Sequence, residues 1–198
     1  MSTGGTPQAT EVRYLVRYLI DAGASTLTVR AYATGMLSAF GHNPTIAIPD
    51  VQGKLQFVPD TLEDASLRIV IQAASLVVTD DISAKDRQEM ERRMHDEVLE
   101  TDGYPEIIYE CSQASSIEKL GDGLYLVALD GELALHGVTR PQPVSARVTL
   151  KPDMVRAAGE FSMRQSDYEI GPVSAAGGTV KLKDELKLSF DISARKQA

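Results

Sequence analysis

The chain has 198 residues, of which 43% are hydrophobic, and it carries a formal net charge of −8 at pH 7. This length fits one domain with a sizeable core, while the negative charge argues against nucleic acid and against a polybasic membrane anchor. The single cysteine, Cys111, excludes an intramolecular disulfide. No stretch reaches the apolar length of a transmembrane segment.

The N-terminal residues 1–10 are small and polar, which predicts a disordered lead before a single domain over residues 11–198. Arg13 and Arg17 interrupt the next apolar run, a pattern that is not typical of a signal peptide in the sequence as written. This predicts a cytoplasmic protein, or a periplasmic one if the chain is a trimmed mature form. Residues 11–20 have apolar side chains of one parity and favour a strand, with a short amphipathic helix as the alternative.

Apolar and polar side chains then alternate with a period of two along most of the chain. The clearest runs span residues 27–31, 51–57, 67–73, 144–150 and 186–192. Because successive side chains of a strand point to opposite faces, each run predicts a half-buried antiparallel strand. Turn sequences such as Gly121-Asp122-Gly123 and Gly177-Gly178 separate the runs.

One segment, around residues 83–100, has the pattern of a helix instead. Ser83 can cap its N-terminus, and Gly103 followed by Pro105 ends it. The apolar stripe of this helix recurs at four-residue spacing and consists of Met90, Met94 and Val98. Residues 80–102 also hold nine acidic and four basic side chains, which indicates a solvated outer face.

The sequence offers no recognisable catalytic or metal-binding constellation. Its three histidines, His42, His95 and His136, lack the ligand spacing of a zinc site. No Gly-x-Ser-x-Gly elbow and no phosphate-binding glycine loop occurs. His42 and His136 are therefore interpreted as hydrogen-bonding residues at one end of a barrel or as contacts to a ligand head group.

Three motifs in this order resemble the YceI-like family of lipocalin-shaped proteins, which bind polyisoprenoids or other long lipids. They are Gly35–Asn43, Tyr104–Tyr109 and Gly131–Pro141. The later segments Phe161–Met163 and Ser166–Gly171 fit the same pattern. The resemblance implies a mainly β fold, an extended antiparallel eight-stranded lipocalin-like barrel with one lid helix around residues 83–100.

The resemblance also implies an apolar cavity inside the barrel. Strand alternation and the helix stripe then predict that its lining includes Val29, Phe57, Ile69, Ile71, Met94, Tyr109, Leu133 and Leu135. His42 and His136 match the family's motif histidines and complete the predicted ligand-binding set. No catalytic residue, metal or cofactor is predicted, apart from a bound polyisoprenoid or similar lipid.

These observations predict a non-enzymatic protein that binds a long hydrophobic lipid for storage, transport or stress response. The expected ligand is a polyisoprenoid, a quinone or a fatty-acyl-like chain. Two alternatives stay open: a filled-barrel interaction module docking through its acidic helix, and a histidine-dependent enzyme acting on a hydrophobic substrate. Residues 11–20 are compatible with an added strand, closure of the barrel mouth or a homodimer contact.

Overall fold

A computed structural model of the chain describes residues 14–34, 43–59, 61–175 and 180–197. The predicted lead over residues 1–10, the first histidine motif up to His42 and the turn at Gly177-Gly178 lie outside these ranges. The strands are β1 (Val16–Ile20), β2 (Thr26–Arg30), β3 (Ala33–Thr34), β4 (Thr45–Ala47), β5 (Val51–Phe57), β6 (Ser66–Gln72), β7 (Val77–Val78), β8 (Glu106–Cys111), β9 (Ala114–Gly121), β10 (Leu124–Leu135), β11 (Val138–Lys151), β12 (Met154–Arg164), β13 (Ser174–Ala175), β14 (Val180–Leu182) and β15 (Glu185–Lys196).

Eight of these strands close into an antiparallel barrel, which confirms the predicted fold class. Their order around the wall is β1, β5, β6, β8, β10, β11, β12 and β15, and β15 pairs back onto β1. β9 forms an antiparallel hairpin with β10. β3, β13 and β14 form a separate small sheet. The N-terminal segment, where strand and helix were both open, forms a strand over Val16–Ile20.

The lid helix also forms where the sequence predicts it. Helix α1 spans Ala84–Arg93 and continues as a π-helical turn over Met94–Val98. At its N-terminus the Ser83 hydroxyl accepts a hydrogen bond from the Asp86 amide at 3.1 Å, the usual N-cap arrangement. The helix contacts β7, and we call this end of the barrel the lid end.

The wall divides at the lid end because β15 has two successive partners along one edge. Its last residues pair with β1, with Ala194 opposite Ile20, whereas its earlier residues pair with β2. From β2 the sheet continues into β4 and β7. Three short strands therefore take the place of β1 at the lid end, and a barrel's interior widens as strands are added.

The opposite end, which we call the filled end, is closed by its own side chains. Tyr18 and Phe57 stack there with ring centroids 4.8 Å apart, a separation typical of favourable aromatic pairs. The buried residues of this cluster are Val16, Tyr18, Phe57, Leu62, Cys111, Tyr125, Val127, Leu129, Ala146, Val148, Val155 and Ala194. The interior is thus solid at one end.

Candidate functional site

The lid end of the barrel encloses a cavity of about 480 Å³. This volume lies within the range of about 300–1,000 Å³ typical of small-molecule pockets. Inward-facing residues such as Leu67, Ile69 and Ile71 are only partly buried, and all three line the cavity. Their side chains therefore keep accessible surface although they point into the barrel.

Seven of the ten predicted ligand-binding residues line this cavity together. They come from four strands and the lid helix, and they are Val29, Ile69, Ile71, Met94, Tyr109, Leu133 and Leu135. Strand parity brings the β6, β8 and β10 residues to one wall, since Ile69 pairs with Tyr109 and Tyr109 with Leu133. Their contact with a lipid stays a prediction.

Phe57 is the predicted residue of β5, and it does not border this cavity. It points into the barrel as its parity requires, but it lies at the filled end, 2% exposed and stacked on Tyr18. Alternation assigns a face of the strand and carries no information on depth along the barrel axis. The C-terminal end of β5 falls in the filled half.

His136 lies outside the cavity lining and is hydrogen-bonded at the lid end of the barrel; its contact with a ligand head group stays a prediction. It forms the hairpin between β10 and β11 together with Gly137, and both residues have positive φ, 52° and 75°, as a type I′ turn requires. Its Nε2 lies 2.9 Å from Oε2 of Glu100, and its Nδ1 lies 3.3 Å from the Tyr168 carbonyl oxygen. The His136 ring also contacts Tyr104, with centroids 4.4 Å apart.

The His136 cluster joins three elements at the lid end. It connects the segment after the lid helix, which carries Glu100 and Tyr104, to the β10–β11 hairpin and to the 3₁₀ turn Gln165–Tyr168. We call these contacts of His136 the histidine clasp, because they hold the three elements together. His42, the other motif histidine, lies outside the described residues.

The lid helix is held to the wall by side chains that flank its apolar underside. Arg87 donates to the Asp80 carbonyl at 2.7 Å, and Glu91 accepts from the Val78 amide at 2.9 Å. The second bond satisfies an amide on β7, at the edge of the sheet, where unpaired groups invite association. Between these anchors, Met90 and Met94 face the cavity.

Tyr109 is the polar residue among the seven predicted residues that line the cavity. Its hydroxyl donates to the Gln142 carbonyl at 3.1 Å, and its ring lies over Gly131, where an added Cβ would collide with it. Burial raises the pKa of Tyr109, with a smaller contribution from Cys111. The hydroxyl is thus held protonated and occupied as a donor.

Burial also affects two other titratable groups, Cys111 in the filled-end cluster and Tyr168 at the lid end. Burial is the main cause that raises the pKa of the Cys111 thiol, and a thiol that stays protonated is a poor nucleophile. Burial likewise raises the pKa of Tyr168. Within the described ranges, no group of three or more potential ligand side chains is placed to hold a metal ion.

The cavity lining also includes residues that were not among the predicted ligand-binding set. Met90 and Val98 lie on the same helical stripe as Met94, and Ile107 shares the parity of Tyr109. The sequence therefore contained a signal for these three. No local pattern marks Gln165, a buried glutamine in the turn after β12 that also lines the cavity.

Across the part of the chain that the structure describes, no helix combines the length and apolar character needed to cross a membrane. A closed antiparallel barrel of eight strands, hollow at one end and covered there by a helix, is a lipocalin-like barrel. The chain belongs to the YceI-like domain family, whose family model matches residues 18–194. This confirms the resemblance carried by the sequence motifs.

Solved structures show the same fold at low sequence identity. Burkholderia cenocepacia BcnA is similar with a TM-score of 0.66 and 16% identity, over 88% of this chain and 98% of that one. A polyisoprenoid binding domain from Saccharophagus degradans gives 0.66 and 16%, over 91% and 98%. The YceI protein of Campylobacter jejuni gives 0.58 and 16%, over 80% and 88%. No curated protein shows a significant sequence match.

Proposed function

We propose that this protein binds one long hydrophobic lipid in the lid-end cavity, without changing it chemically, for storage, transport or stress response. The ligand class is a polyisoprenoid, a quinone or a fatty-acyl-like chain. The observation that carries the proposal is the apolar cavity of about 480 Å³ between the barrel wall and the underside of the lid helix. Membership of the YceI-like family and the likeness to a polyisoprenoid binding domain support it.

Binding by burial requires no reacting residue. Each buried methylene contributes about 0.8 kcal/mol, so about fifteen methylenes supply roughly 12 kcal/mol, comparable with the cost of about 4–15 kcal/mol for association. The preformed barrel keeps the additional cost of ordering the site small. A long chain can therefore bind well with few polar contacts.

The lid helix gives the ligand a route into the barrel. The apolar stripe of Met90, Met94 and Val98 covers the cavity. The side-chain anchors of α1 are single hydrogen bonds: Arg87 to the preceding segment, Glu91 to β7 and Arg93 to β13. Each such bond contributes about 0.5–1.5 kcal/mol net. Opening of the lid thus costs far less than opening of the barrel wall, whose strands share continuous ladders.

The test is equilibrium binding of radiolabelled geranylgeraniol to the full chain and to two variants of β6. Ile69→Trp places an indole inside the cavity, and we expect affinity to fall at least about tenfold because the ligand's volume is taken. Val70→Trp is the matched control, since Val70 is the next residue and has the opposite parity. We expect it to leave affinity unchanged.

A saturable complex of one lipid per chain that is lost in Ile69→Trp supports the proposal. No saturable binding by the wild-type chain, or equal loss in both variants, contradicts it. Circular dichroism and a thermal melt on each variant establish that the barrel is intact in the comparison.

A further inference from the structure

The polar side chains that can face the cavity gather at one place. Of the polar residues that border the cavity, three occupy outward-facing positions of their strands: Thr28, Lys54 and Ser189. The remaining ones, apart from the occupied hydroxyl of Tyr109, are Arg93, Gln165 and Ser174. Gln165 Nε2 donates to the Lys183 carbonyl at 3.1 Å, and Arg93 donates to the Ser174 carbonyl at 2.8 Å.

These contacts converge on one rim of the cavity. Ser174 belongs to β13, which pairs with β14, and the adjoining Leu182 amide donates to the Val173 carbonyl. The lid helix meets this small sheet through Arg93. The rim is therefore where a polar head group could remain near water while its chain occupies the apolar interior.

Arg93 has hydrogen-bonding capacity left at this rim. Its side chain is 35% exposed, and it lies between the cavity residues Met90 and Met94 on the helix. Nε donates to Oε2 of Glu97 at 3.2 Å, and Nη2 donates to Ser174. A guanidinium has five N–H groups, and Nη1 donates to no group in the described part of the chain.

The charges around the cavity favour an anion at this position. Among the described residues that border the cavity, none is acidic, although residues 80–102 carry nine acidic side chains. The neighbouring Arg92 binds Glu89, Asp96 and Glu97 on the outer face of the helix. Glu97 is shared between the two arginines, since it also pairs with Arg93, and Arg93 is the one of the two that borders the cavity.

We propose that Arg93 binds the anionic head group, a carboxylate or a phosphate, of an amphiphile whose hydrocarbon chain fills the cavity. This inference rests on the proposed function, because the chain must occupy the barrel for its head to reach the rim. The planar guanidinium matches the oxygens of carboxylates and phosphates geometrically. Charge-assisted hydrogen bonds of this kind are stronger than neutral ones.

The experiment compares ligands that share a chain and differ in the head group. Geranylgeranyl phosphate is measured against geranylgeraniol, and palmitate against hexadecanol, at fixed salt and pH 7.5. A hydrogen bond to a charged group contributes more than a neutral one, so we expect the anionic member to bind at least about tenfold more tightly. The two pairs distinguish a phosphate from a carboxylate preference.

Two neighbouring arginines supply matched variants. Arg93→Gln removes the inner cation, and we expect the ratio between anion and alcohol to fall close to one while alcohol binding persists. Arg92→Gln removes the same charge from the outer face of the same helix and leaves the ratio unchanged. Arg93→Lys keeps the charge without the planar fork and retains part of the preference.

Each outcome separates the two proposals. Equal, saturable binding of anion and alcohol by the wild type overturns the role of Arg93 and leaves lipid binding intact, as does a preference that persists in Arg93→Gln. Failure of all four ligands to bind overturns the proposed function itself. If Arg93→Gln does not fold, the affinity ratio between anion and alcohol is compared between Arg93→Lys and Arg92→Lys instead.

Discussion

The two ends of the barrel are built from the same alternation of residues and reach opposite results. At the filled end, inward-facing Val127 and Val155 are buried, and the rings of Tyr18, Phe57 and Tyr125 join the same cluster. At the lid end, inward-facing residues of β6, β8 and β12 border open space. Parity therefore decides which side chains face inward, whereas the size of the rings and the perimeter of the wall decide whether the interior is filled.

The division of the wall beside β15 has a local cause. The chain steps from β1 to β2 through a 3₁₀ turn at Ala22–Ala24, and the Ser25 hydroxyl accepts from the Ser193 amide at 3.0 Å. The Ser25 side chain thus provides a hydrogen-bond acceptor for the Ser193 amide of β15, which lies between the segments of β15 that pair with β1 and with β2. This step lets the lid end widen without leaving that amide unsatisfied.

The sharpest comparison replaces one phenylalanine at each end by alanine. Phe57→Ala opens a void in the filled end and should lower the free energy of unfolding by about 3–5 kcal/mol. Phe161, on β12, borders the cavity and is partly buried. Phe161→Ala should cost clearly less, because its loss enlarges a space that already exists. Urea unfolding followed by circular dichroism measures both, and equal costs would break the comparison.

The converse change enlarges one valine at each end. Val127→Phe forces a ring into the filled end and should destabilise the protein by about 1–3 kcal/mol through overpacking. Val144 is also buried but borders the cavity, so Val144→Phe should cost less than Val127→Phe, because the ring can occupy space that already exists. Thermal melts at a fixed protein concentration measure the change in stability of each variant. A larger loss in Val144→Phe than in Val127→Phe would show that the lid end has no room.

The histidine clasp should secure the lid end alone. His136→Ala removes the contacts to Glu100, Tyr104 and Tyr168 and leaves a residue that disfavours positive φ, so we expect a loss of about 1–2 kcal/mol. Amide exchange should accelerate over residues 94–104 and stay unchanged in β1 and β5. His136→Asn is the matched control for backbone strain, since asparagine tolerates this conformation. Uniform acceleration across the barrel would contradict a local clasp.

Acid should loosen the turn after β12 at the lid end through Asp184. Its carboxylate accepts from the Ser166 hydroxyl at 2.6 Å and from the Ser166 amide at 2.8 Å. These bonds lower the pKa of Asp184 from its ordinary value of 3.8. A lowered pKa in the folded state stabilises the protein above that ordinary value, and the contribution is lost as pH falls below it.

Asp184→Asn should therefore cost about 1 kcal/mol at pH 7 and less at pH 3. Chemical unfolding of the variant and the wild type across this range measures the difference. The exposed Asp153, replaced by asparagine, is the control and should show no such trend. A cost for Asp184→Asn that does not change with pH would mean that the carboxylate charge contributes nothing to the turn.

Strand and helix positions could be predicted from the sequence because each depends on a local period. Alternation placed Ile69, Ile71 and Leu133 inward, and four-residue spacing placed Met94 beneath the lid. Depth along the barrel could not be predicted, since it depends on pairing between strands far apart in sequence, and alternation alone could not show that Phe57 packs against Tyr18 away from the cavity. The position of His136 could not be predicted either, because its contacts with Glu100 and Tyr168 join residues that are far apart in sequence.

The measurement that tests the central claim most directly is organic extraction of the natively purified protein followed by mass spectrometry of the released lipids. The Ile69→Trp and Val70→Trp variants are treated in parallel. We predict about one prenyl or acyl lipid per chain in the wild type and in Val70→Trp, and a marked loss in Ile69→Trp. An empty wild-type protein that also takes up no long-chain lipid when offered one would contradict the account.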